Sequence, residues 1–127
     1  MSTLVVTNIS DGTISVPAKV LTEGGTKGWG AWDGTGTPAL TDSYNVSSLT
    51  DAATGNFTLN WTNNMSAAAA YMAHGGAGAG DAANLEYWLH YPVSEVLAAS
   101  LTCWVVSSGQ IATDVDYNAM GATGDLA

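Results

Sequence analysis

The sequence predicts an all-β fold: an antiparallel β-sandwich or small jelly-roll-like domain with a short extended N-terminal arm. Three observations predict it. The run Asn56-Phe57-Thr58-Leu59-Asn60-Trp61-Thr62 alternates polar and apolar residues without a break, the period of a strand with one wet face and one buried face. Short runs rich in Thr, Val, Tyr and Trp are separated by turns such as Asp11-Gly12, Gly24-Gly25, Thr54-Gly55 and Ser108-Gly109, which is strand-and-turn punctuation. Amphipathic helical spacing is almost absent, so strands must cover strands.

In chain order, Thr3 to Ile9 is expected to form a strand that turns at Asp11-Gly12 and returns through Thr13 to Val16, before Pro17. Residues 1–26 are assigned to the arm and residues 27–127 to the sandwich domain, with the chain broken at Glu23-Gly24-Gly25. Ser43 to Thr50 is expected to pair with the strand from Asn56 across Thr54-Gly55 as a hairpin, with Phe57, Leu59 and Trp61 all facing the core. Ala67 to Ala70 has helical propensity, but a strand beginning near Ala69 is favoured because Tyr71-Met72 follows. His74 to Asp81 reads as a glycine-rich loop, and Leu85 to Tyr91 as a strand ended by Pro92. Ser94-Glu95 precedes a short Ala-rich stretch, where one helical turn is expected. Leu101 to Val106 and Gln110 to Val115 should pair across Ser107-Ser108-Gly109, leaving Asp116 to Ala127 as a polar tail.

The 127 residues make one domain with a modest core. Only 10% of them are charged, against about 25% in ordinary proteins. The surface must therefore be built from Thr, Ser, Asn, Gly and Ala, which suits close packing in an assembly. Lys19 and Lys27 are the only basic side chains against eleven acids, a net charge of −9. Tight binding to nucleic acid needs several cations to displace phosphate counterions, and binding to anionic lipid needs the same; both partners are excluded. Cys103 is the single cysteine, so no intrachain disulfide forms and a buried structural thiol is expected. Met1 to Asn8 lacks the charged and apolar regions of a secretory signal, and Ala67 to Ala73 is too short to span a bilayer.

Motifs with catalytic or binding chemistry are weak. Gly75-Gly76-Ala77-Gly78-Ala79-Gly80 lacks the Lys-Ser or Lys-Thr of a phosphate loop, and Asp81 and Glu86 follow it. His74 and His90 have no further ligands at metal-site spacing. Asp114, Asp116, Asn118 and Asp125 imitate a calcium loop, but Ala119 stands where the turn glycine is needed and Asp125 is shorter than the bidentate Glu. No nucleophile elbow occurs. The expectation is therefore no catalytic residue, no metal and no cofactor. Asn8, Asn45, Asn56, Asn60 and Asn64 open Asn-x-Ser/Thr triplets, which such a composition produces by chance. Trp29, Trp32, Trp61, Trp88 and Trp104 are assigned mainly to core or subunit packing, with a glycan-stacking platform as the alternative. Trp29 and Trp32 lie three apart, so a strand aims them at opposite faces, and Trp32 is assigned to the exposed or interface side.

The segment Lys27, Trp29, Trp32, Asp33-Gly34-Thr35-Gly36, Ser43-Tyr44-Asn45-Val46-Ser47-Ser48, Thr54-Gly55, Asn56-Phe57-Thr58-Leu59-Asn60-Trp61 and Met65 resembles a module of small bacteriophage structural and fibre-like proteins. There a lysine, a tryptophan and an aromatic precede Asn-Gly-Thr-Gly, an SFNVSS strand, a glycine turn and an aromatic strand; Asp33 here stands at the Asn position. Ser2-Thr3-Leu4 with Asn8-Ile9 also resembles the start of such proteins. The resemblance implies a non-enzymatic virion component, made in the host cytoplasm and placed on the particle surface. It does not say which part of the virion, although such proteins are commonly homotrimers. A compact body with an arm from Met1 to Thr26 and no elongated shaft favours a capsid decoration (cement) protein contacting the major capsid protein; the alternative is a tail-fibre or head-fibre domain that binds a host surface glycan. Leu4, Val6, Ile9 and Trp32 are the expected interface residues.

Overall fold

The computed structural model describes residues 5–18, 20, 24–79 and 87–127. It is a β-sandwich of two four-stranded antiparallel sheets, with a separate two-stranded ribbon before it. The strands are β1 (Asn8–Ser10), β2 (Ser15–Pro17), β3 (Thr26–Asp33), β4 (Ala39–Tyr44), β5 (Val46–Ala53), β6 (Asn56–Trp61), β7 (Met72–Gly78), β8 (Tyr87–His90), β9 (Ser100–Ser107) and β10 (Tyr117–Thr123), with a 3-10 turn at Val93–Glu95. One sheet has the order β4-β3-β10-β7 and the other β5-β6-β9-β8.

The expected hairpin forms as the alternation requires. β5 and β6 pair around Gly55, whose φ of 67° needs a residue without a Cβ. Phe57, Leu59 and Trp61 are buried, while Asn56, Thr58 and Asn60 lie on the other face. The core between the sheets adds Trp32, Met65, Tyr71, Val96, Leu101, Cys103, Val105, Val115, Met120 and Ala122. Trp32 tilts against Phe57 with ring centroids 5.6 Å apart, and Trp61 meets Tyr71 edge-on at 6.5 Å; both are geometries aromatic quadrupoles prefer.

Five local expectations are corrected. Ser43 to Thr50 is not one strand: β4 ends at Tyr44, Asn45 turns at φ 56°, and β5 starts at Val46 in the opposite sheet. Asn tolerates this conformation when its side chain bonds locally. Here its Nδ2 donates to Lys27 O and Asn63 O, and its Oδ1 accepts from Asn63 N and Nδ2, at 2.8–3.0 Å. The corner between sheets is thus held by one carboxamide. The strand expected near Ala69 begins instead at Met72, after a turn with Ala69 at φ 54°. His74 to Gly78, read as a loop, belongs to β7; Gly80 and Asp81, at the end of that reading, lie outside the described residues, as do Leu85 and Glu86 of the next strand. Gln110 to Val115 makes a single bridge, Val106 to Ala112, rather than a strand. The polar tail contains β10, which pairs with both β3 and β7 at the centre of its sheet.

Glycine recurs in β7, and on the inner face of that strand the space is already taken. A Cβ on Gly75 would fall within 2.6 Å of the Tyr91 hydroxyl and 2.8 Å of Leu89 Cδ1, closer than real side-chain carbons come. Low strand propensity is overridden by tertiary fit.

Candidate functional site

Lys27, Trp29, Ala31 and Asp33 form the outer face of β3, and Gly28, Gly30 and Trp32 the inner one. This reverses the expectation for Trp32. It is 1% exposed and packed inside the chain's own core, so it offers no surface to a partner. Trp29 is the outward tryptophan. Parity with the charged Lys27 and Asp33 was the available signal, because charges mark the wet face of a strand. Of the other expected interface residues, Val6 and Ile9 are exposed on the arm, and Leu4 lies outside the described residues.

Register builds a surface around Trp29. One row across the sheet reads Tyr44, Trp29, Gly121, His74, and the next reads Asp42, Ala31, Ala119, Gly76. The middle of this face therefore has almost no side chains, and planar rings stand around it. The result is an open depression of about 180 Å³ lined by Trp29, Gly30, His74, Gly75, Gly76, Ala119, Met120 and Gly121. Gly121 is required there, since a Cβ would sit 2.9 Å from the His74 ring and 3.2 Å from Trp29 Cβ. His74 is oriented by a 3.2 Å hydrogen bond between Nε2 and Thr123 Oγ1. Tyr117 and Tyr44 flank the depression, 60% and 57% exposed. His74, Gly76 and Tyr117 were not legible as one site because they were read as loop and tail.

The acids do not converge. Asp114 Oδ1 accepts the Gly55 N–H at 2.6 Å, tying the loop after β9 to the β5–β6 turn. Asn118 is fully buried, its Nδ2 donating to Val115 O at 2.9 Å. The calcium-like spacing is therefore divided between a loop contact and the core, and among the described residues no three His, Cys, Asp or Glu side chains gather as a metal site would require. Asp33 is held below the usual carboxylate range by the Thr35 hydroxyl and then the Thr35 N–H, which close the β3–β4 turn. Cys103 is buried, and burial, with a smaller contribution from Glu95, pushes its thiol up to about 12; a thiol so placed is a poor nucleophile.

No family model matches the chain, and no curated protein or solved structure matches it either.

Proposed function

We propose that this chain is a non-enzymatic structural protein of a bacteriophage virion, a decoration protein that caps the head lattice as a homotrimer. The observation that carries the reading is the arm. Among the described residues, β1 and β2 pair only with each other, through Asn8–Pro17, Ile9–Val16 and Ser10–Ser15. The ribbon exposes Val5, Val6, Ile9 and Ile14. An isolated two-stranded ribbon is marginal in water, and apolar groups displayed on one gain by being covered. A compact body with such an arm suits a protein that reaches across neighbouring subunits, its copies and the major capsid protein being the partners. The weakly charged surface supports close packing, and the sequence resemblance supports the virion assignment.

The test is electron microscopy of particles lacking the gene, and of particles carrying a chain without residues 1–17. Heads that lose surface knobs in both cases, and that burst more easily, are expected. The competing reading, a fibre domain that binds a host glycan, draws on the open depression beside Trp29. Intact heads that fail to adsorb to cells would establish it instead.

A further inference from the structure

We infer that the depression on the outer face of the β4-β3-β10-β7 sheet is a binding site for a neutral saccharide, with Trp29 as the stacking platform. The shape comes first. Gly76 and Ala119 make a floor close to backbone height across two adjacent strands, Trp29 and His74 rise beside it, and those two side chains cover Gly121 between them. A Cβ on Gly76 would meet nothing within 4 Å, so the space above that glycine is empty. The outer face of the other sheet makes the contrast. It also carries tryptophans, but there Trp104 is paired with His90 and Trp88 with Val106. Large side chains fill what glycine leaves open on the first face.

The chemistry then selects the occupant. A pyranose ring presents an apolar face of C–H groups and a rim of hydroxyls. An indole offers an apolar face to the first. The His74 ring lines the depression; its Nε2 is engaged with Thr123 Oγ1, and its Nδ1 can exchange a hydrogen bond with the second. A chain with a net charge of −9 repels nucleotides, nucleic acid and acidic polysaccharides, whereas a neutral sugar meets no such barrier. The depression is shallow and open, so it suits one residue of a longer glycan lying along the sheet rather than an enclosed monosaccharide. The inference holds for either position on the particle, because it concerns the isolated chain.

The test is affinity electrophoresis of the full chain in gels containing a neutral glucan, galactan or mannan, with tryptophan fluorescence titration alongside. Retardation by at least one polysaccharide is expected, with a spectral shift. Gly76→Val fills the depression at a site open to a new side chain, and should weaken binding about tenfold or more while thermal unfolding stays as in the parent. Trp29→Ala should lose binding, and Trp29→Phe, which keeps a ring, should recover part of it. No retardation by any of the three polymers would overturn the inference, as would retardation that Gly76→Val leaves unchanged. Concentration-dependent self-association that Gly76→Val abolishes would also overturn it and assign the face to a second copy. Particle morphology is not read in this experiment, so its failure leaves the virion assignment standing.

Discussion

The two sheets contribute to the core in opposite ways. β6 sends Phe57, Leu59 and Trp61 inward, all but fully buried. β3 and the turn after it answer with glycine: a Cβ on Gly34 would lie 2.9 Å from the Phe57 ring, one on Gly30 3.0 Å from Leu59, and one on Gly28 2.7 Å from the Trp61 ring. β7 repeats the device with Gly75 beneath Tyr91 and Leu89. One sheet brings bulk, and the facing sheet, beside its own Trp32 and Met120, brings sockets. Interiors are packed to crystal density, so large side chains on one layer require small ones on the facing layer. The open outer face of the same sheet comes from a different set of small residues, Ala31, Ala119 and Gly76, because successive residues of a strand point to opposite faces. The sockets and the depression are therefore built by separate residues of the same strands.

The largest effect should come from removing the bulk. Phe57→Ala and Trp61→Ala should each cost about 3–5 kcal/mol in denaturant unfolding, a large share of the ~5–15 kcal/mol a domain possesses. Filling a socket should cost less. Gly28→Ala and Gly30→Ala should destabilise by about 1–3 kcal/mol through overpacking, and Trp61→Leu should reduce the penalty of Gly28→Ala in a double-mutant cycle. Additive costs would show that socket and bulk are not coupled. The corner between the sheets comes next: Asn45→Ala should cost about 1–2 kcal/mol, since it loses several hydrogen bonds and the tolerance of positive φ, and Asn45→Gly should recover the second part.

Alkaline pH probes the buried ionisable groups, Cys103 of β9 among them. Burial holds the Cys103 thiol up to about 12 from its ordinary value of 9.0. The unfolded chain ionises this group near pH 9, while the folded chain keeps it protonated. Stability is therefore intact below pH 9 and is lost as pH rises towards 12. The Tyr91 hydroxyl is raised in the same sense, by burial and then by Cys103. A melting temperature that falls above pH 9, and falls less steeply for Cys103→Ala, is the expected result; identical profiles would refute the assignment to the thiol. The smallest effects belong to the outer faces. Thr58→Ala, which loses the 2.7 Å contact with Thr102, should cost about 0.2–1 kcal/mol. Gly76→Ala, unlike Gly75→Ala, should be neutral or stabilising by up to about 1 kcal/mol.

The legibility of the sequence follows the same division. The period-2 run of β6, its glycine turn and the inward set Phe57, Leu59 and Trp61 could be read from residue order, as could the sandwich class, because alternation and turn chemistry are local properties. β7 and β10 could not. Met72-Ala73-His74-Gly75-Gly76-Ala77-Gly78 and Tyr117-Asn118-Ala119-Met120-Gly121-Ala122-Thr123 carry the small residues of loops, and only the bulk opposite them and the ladders beside them make them strands. The split of Ser43 to Thr50 at Asn45 was equally hidden, since it depends on a side chain reaching Lys27 and Asn63. Of the depression, Trp32 rather than Trp29 is the tryptophan expected at the surface from the sequence, although parity with Lys27 points to Trp29; His74 and Gly76 became neighbours of Trp29 only through β10. Residue order was enough for the fold class, the buried face of β6 and a strongly acidic net charge. The tertiary structure alone decided which glycines are sockets and which are floor, because that depends on what stands across the core from each of them.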